Sequence, residues 1–122
     1  MLDVRVERLS EKVVVHCAGR ICAGENLSRL RTVVLCQRGA RAIILDLANV
    51  TAIDAGGLGT LVFLHTSAQR LGRELKLRAP SAEVENVFVL TGLDAVLTIC
   101  PAIEMESPLS LPETVAAVRR AG

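Results

Sequence analysis

The amino-acid sequence predicts one α/β domain over residues 1–122: a mixed β-sheet with an N-terminal hairpin and about four α-helices packed mainly on one face. Three observations point there. The opening segments have strand patterns, helical and strand patterns then alternate along the chain, and most helical stretches stop at a glycine. The core is aliphatic, because 51% of the residues are hydrophobic while Phe63 and Phe88 are the only aromatics.

Leu2 to Leu9 alternates apolar and charged residues, the mark of a half-exposed strand. A short polar break at Ser10-Glu11-Lys12 leads into the nearly continuous apolar run Val13 to Ala18, a strand covered on both faces, so the two form a hairpin. Gly19 ends the second strand in this reading. A helix is predicted over about 25–38, with Leu27, Leu30 and Val34 on one face and Gly39 just past its end. Ala42 to Leu47 reads as a buried strand and 49–57 as a loop, after which Leu58, Leu61, Val62, His65 and Ala68 recur at helical spacing up to Leu71 and Gly72. Leu75 to Ala79 alternates as a strand and is closed by Pro80. Ser81 caps a helix carrying Val84, Val87 and Phe88, which Gly92-Leu93 terminates. Ala95 to Ile99 is a last short strand, and Ser110-Leu111-Pro112-Glu113 has the capping-box spacing of a final helix bearing Val115, Val118 and Arg119-Arg120.

Composition removes several function classes. The 14 basic and 13 acidic residues are interspersed and leave a net charge of +1, so no basic stripe offers itself to nucleic acid. Two aromatic rings cannot build a base-stacking platform or an aromatic cage. The apolar runs are strand-length, short of the roughly 20 residues of a spanning helix, and Met1 to Arg5 lacks a signal-peptide pattern, so a cytoplasmic protein without direct membrane insertion is expected. Cys17, Cys22, Cys36 and Cys100 form no C-x-x-C, and His16 and His65 lack metal-ligand spacing. No metal is therefore expected; Cys17 and Cys36, within apolar segments, read as buried thiols, and His65 as a packed side chain.

The chemistry-bearing segment runs from Ile43 to Gly59: a buried strand, a tight loop, and Asp54-Ala55-Gly56-Gly57-Leu58-Gly59 at a helix start. Free N–H groups and the positive end of the helix dipole suit such a place to an anion or an approaching partner backbone. The plainer alternative has Asp54 capping the helix and the glycines permitting close packing. No Walker A or G-x-G-x-x-G spacing is present, Asp54 has no paired carboxylate or His in its motif, and no Ser stands in a nucleophile elbow. No catalytic residue and no cofactor are predicted.

This segment resembles the signature of the STAS domain family, shared by anti-sigma factor antagonists and sulfate transporter tails. In that family a strand ending Asp-Leu leads to Asp-Ser-Ser/Ala-Gly-Leu-Gly at a helix start, and Asp46-Leu47 and Asp54 to Gly59 occupy those places. Gly19-Arg20-Ile21 is similar to the family's turn after the second strand, and Val87 to Leu93 to the end of its third helix. The resemblance implies a STAS-like fold and a bacterial, non-enzymatic signalling module that docks through Arg20, Ile21, Cys22, Asp54, Ala55, Gly56, Gly57, Leu58 and Gly59. The implied partner is an anti-sigma factor of the kinase-like ATPase type, in transcription regulation. The alternative is a STAS subunit of a lipid-transport ABC complex, docking on the transporter ATPase, or a stressosome-like scaffold binding other STAS proteins; nucleotide binding is a weaker possibility. Two departures stand out. Ala55 replaces the serine that a partner kinase phosphorylates, so the phosphoacceptor is lost, and Cys22 stands where the turn usually carries Asp. Thr51 and Thr60 are the nearby hydroxyls. Monomer and homodimer are both open.

Overall fold

The computed structural model describes residues 1–100. Its elements in chain order are β1 (Leu2–Leu9), β2 (Lys12–Ile21), α1 (Leu27–Leu35), β3 (Ala42–Ile53), α2 (Ala55–Arg70), β4 (Glu74–Arg78), α3 (Ala82–Thr91), a 3-10 turn (Leu93–Ala95) and β5 (Thr98–Cys100). The sheet order is β1-β2-β3-β4-β5. β1 and β2 pair antiparallel as the hairpin, and β2 to β5 run parallel. The described residues contain three α-helices where about four were expected; the fourth, predicted after Ser110, lies outside the described residues.

Strand alternation decides which face is the core. Val13, Val15 and Cys17 of β2, Ile43, Leu45 and Leu47 of β3, and Leu75 and Leu77 of β4 join one buried cluster. The same cluster takes Leu30 and Val34 from α1, Leu61, Leu64 and Ala68 from α2, and Val84 and Phe88 from α3, so all three helices cover one face.

The alternate positions build a polar ladder on the opposite face. His16 lies between Glu7 and Asp46, each ring nitrogen 2.9 Å from a carboxylate oxygen, and Arg78 donates from Nη2 to Asp46 Oδ2 at 2.9 Å. Ala48 N–H donates to Asp46 Oδ1 at 3.1 Å, so the one buried acid of the sheet is fully engaged. Burial pushes Asp46 up, but the bonds from Arg78, Ala48 and His16 outweigh it and hold its carboxyl below the ordinary value. Cys17 is pushed up to about 12, first by burial and then by the Asp46 charge.

Several boundaries differ from the sequence reading, those of β2 and β3 for tertiary reasons. Gly19 does not end β2: with φ +107° it takes a backbone conformation closed to other residues, beside the Met1 carbonyl, and the strand resumes to Ile21. β3 likewise continues past Leu47, because β2 supplies a partner for Asn49 and Val50 after one register shift and for Ala52 and Ile53 after a second. α2 starts at Ala55 rather than Leu58, and α1 is trimmed to Leu27–Leu35. The last strand moves to Thr98–Cys100 because Leu93–Ala95 coil into the 3-10 turn after Gly92, which sits at φ +77°. Cys36 is exposed at the end of α1, contrary to its reading as a buried thiol.

Candidate functional site

The parallel pairing of β2 with β3 brings two sequence-distant segments together, matching Ile21 with Ile53. The turn that follows β2 and the start of α2 that follows β3 are therefore neighbours. Asp54, in extended conformation, is the N-cap of α2 and accepts from Gly57 N–H at 2.9 Å. Its two carboxylate oxygens also accept from Ala23 N–H, at 3.0 Å each, while its own N–H donates to the Ile21 carbonyl at 3.4 Å. One side chain thus caps the helix and clamps the turn. The Gly57 N–H, aided by those of Ala23 and Gly56, holds Asp54 below the ordinary carboxylate value, so it is charged at neutral pH.

The glycines permit this approach. A Cβ on Gly57 would land on the Ile21 carbonyl oxygen, and it would stand 2.7 Å from the carbonyl carbon. A Cβ on Gly56 would meet Ala23 Cβ at 3.0 Å, whereas one on Gly59 would meet nothing within 4 Å. Gly56 and Gly57 therefore answer to packing, and Gly59 leaves open surface.

The structure divides the predicted residues by accessibility. Arg20, Asp54, Ala55, Gly56 and Gly59 are exposed, Leu58 is half-buried, and Ile21, Cys22 and Gly57 are buried. Ile21 and Cys22 thus offer no side chain to a partner and contribute the frame. Thr60 is buried and donates its hydroxyl to the Gly56 carbonyl at 3.0 Å, whereas Thr51 is exposed and bonds the Gly19 carbonyl at 3.2 Å. One surface residue escaped the sequence reading: Phe63, 49% exposed on α2, falls on the outward side with Ala55, Gly56 and Gly59. The signal was present, since Phe63 stands off the stripe formed by Leu61, Leu64 and Ala68.

One aspartate thus clamps the β2 turn to the start of α2, with the exposed Ala55, Gly56 and Gly59 and the half-exposed Phe63 ring on the outward side of that helix. Among the described residues no group of three His, Cys, Asp or Glu side chains could hold a metal, and no helix is long and apolar enough to cross a membrane. The family model of the STAS domain matches residues 3–105, and the chain belongs to that family. It is 33% identical over 66 residues to a Thermotoga neapolitana protein described as an anti-sigma factor antagonist homolog, a match covering 54% of this chain and 58% of that one. The match thus spans little more than half the length of that relative. Among solved structures it is similar to a Thermotoga maritima protein described as a putative anti-sigma factor antagonist, at TM-score 0.72 and 25% identity, covering 96% of this chain and 95% of that one. It also shares its fold with the phosphorylated form of the Bacillus cell fate determinant SpoIIAA, at TM-score 0.63 and 18% identity, with coverage of 97% and 99%.

Proposed function

We propose that this STAS domain is a non-enzymatic regulator of the anti-sigma factor antagonist type, whose unphosphorylated α2 start docks on a kinase-like anti-sigma factor and cannot be released by phosphorylation at that point. The observation that carries the reading is Ala55. It is exposed as the first residue of α2, where the family places a phosphoacceptor serine, and a methyl group takes no phosphate. The docking surface is Arg20, Asp54, Ala55, Gly56, Gly59 and Phe63, framed from beneath by Ile21, Cys22 and Gly57, with Leu58 at its margin. The exposed small residues at the start of α2 let a partner backbone come close, while Phe63 supplies apolar contact. A non-catalytic role is supported by Asp54, whose two oxygens are occupied by backbone donors.

The test is to mix the purified protein with kinase-like anti-sigma factors from its host and follow complex formation with and without ATP. A complex that ATP leaves intact is expected. The Ala55→Ser variant should then be phosphorylated and lose binding, because a charge of about −2 is placed on the docking face. Absence of binding at high concentration to every such factor refutes the reading. Recovery of a transporter ATPase with the tagged protein would transfer the same surface to the alternative partner.

A further inference from the structure

The outer edge of β1 has no partner in the described residues, and its hydrogen-bonding pattern can be read. Arg20 N–H donates to the Met1 carbonyl at 3.0 Å, and β1 pairs with β2 without a bulge from Leu2↔Gly19 to Leu9↔Lys12. Hydrogen-bonded positions alternate along an antiparallel pair, so the odd residues of β1 direct their backbone groups at β2. Leu2, Val4, Val6 and Arg8 direct theirs outward. The edge is eight residues long, has no Pro, Lys or bulge, and leaves Val6 41% exposed. Prolines and bulges block an edge outright and β1 has neither; its protection is charge alone, carried by Asp3, Arg5, Glu7 and Arg8.

The charges then select a partner. Asp3, Arg5 and Glu7 alternate in sign on one face of the strand. A second copy arriving antiparallel about a two-fold axis normal to the sheet pairs residues of like face, so the register must centre on one residue. Centred on Arg5, the pairing sets Arg5 against itself and Asp3 against Glu7. Centred on Val4, it is opposite-charged but shorter, ending at Val6. Centred on Val6, it runs from Asp3 to Leu9, sets Arg5 against Glu7 of the other copy twice over, and matches the outward residues Val4, Val6 and Arg8 with one another. Glu7 already accepts from His16 through Oε1, and a carboxylate has further lone pairs for Arg5.

We propose that two copies of this chain pair through β1, antiparallel and centred on Val6, into one continuous sheet. The dimer leaves the start of α2 uncovered, so one assembly displays two docking surfaces, and the inference stands whether or not the proposed partner is right.

Sedimentation of the full chain from about 10 µM to about 1 mM reads the dimer, which at this interface size is weak. A concentration-dependent doubling of mass is expected, with amide exchange slowing at Val4, Val6 and Arg8 as the dimer fills. Val6→Pro removes only an outward N–H and should weaken association at least about tenfold. Arg5→Glu, which opposes acid to acid, should do the same and carries the test if the proline variant melts early. A monomer at every concentration overturns the proposal. So does a dimer in which these amides exchange at the monomer rate, or one that survives Arg5→Glu unchanged.

Discussion

Replacing Gly57 with alanine probes the joint between the β2 turn and α2 more directly than any polar substitution. On helix propensity alone the change is favourable by about 1 kcal/mol, because Gly57 lies within the first turn of α2. Packing opposes it. The new Cβ would fall on the Ile21 carbonyl oxygen, 2.7 Å from the carbonyl carbon and 3.0 Å from Ile21 Cγ2, and Ile21 is fully buried. Relief requires the strand end and helix start to part, which stretches the 3.4 Å bond from Asp54 N–H to Ile21 and the 3.0 Å bonds from Ala23 N–H to Asp54. Overpacking of this kind costs about 1–3 kcal/mol, so after the propensity gain the net expectation for Gly57→Ala is a loss of up to about 2 kcal/mol. The internal control is Gly59→Ala, two residues on in the same helix, where a Cβ meets nothing within 4 Å and propensity acts alone, for a gain of about 0.5–1 kcal/mol. Urea unfolding followed by circular dichroism reads both. In thermal unfolding a chain of this size shifts by about 4 °C per kcal/mol, so the two melting temperatures should move in opposite directions. If Gly57→Ala is as stable as Gly59→Ala, the close approach of turn and helix does not constrain this position and the argument fails.

Four further outcomes follow from the same structure. Phe63→Ala should leave stability within about 0.5 kcal/mol, because the ring is half-exposed, while weakening partner binding at least about tenfold in calorimetry. Asp46 has its folded-state value lowered, so its contribution to stability is present above the unfolded carboxylate range and is lost as pH falls through the folded value; unfolding at pH 7 and pH 3 should show this loss, reduced in Asp46→Asn. Arg78→Met removes the 2.9 Å donor to Asp46 and should cost about 1–3 kcal/mol at pH 7, measured by denaturant unfolding. Cys17, buried and raised to about 12, should resist a thiol reagent at pH 8 in the native protein while exposed Cys36 is labelled, as peptide mass spectrometry would show.

What the sequence disclosed was local. The alternation in Leu2–Leu9, the Ser81 cap that accepts from Val84 N–H at 3.3 Å, and the left-handed Gly92 depend on residues within a few positions of one another, and each was legible. The extension of β3 was not, because exposed Ala48 and Asn49 interrupt its apolar run and only the pairing with β2 keeps it a strand. The same limit hid the ladder on the sheet, since Asp46 draws its partners from His16, thirty residues before it, and Arg78, thirty-two after. At the site, the motif located the loop and helix start, but nothing in it told that Ile21 and Cys22 would be buried or that Asp54 would reach across to Ala23.

That reach explains why one half of the motif can persist without the other. The aspartate and the serine position look like one functional unit in sequence, yet their geometries are separate. Asp54 accepts from Gly57 N–H and Ala23 N–H and so holds helix start and turn together whatever stands next to it. Ala55 points no hydrogen-bonding group at that joint and is exposed, so losing the hydroxyl there costs the clamp nothing. Substituting each in turn distinguishes architecture from switching. Asp54→Ala should free the turn, lower the melting temperature and accelerate amide exchange at Ala23 and Gly57, whereas Ala55→Ser should leave all three unchanged until a kinase is supplied. Equal destabilisation by both substitutions would mean that the two positions are structurally coupled after all, and that the alanine is there for the fold rather than for the docking face.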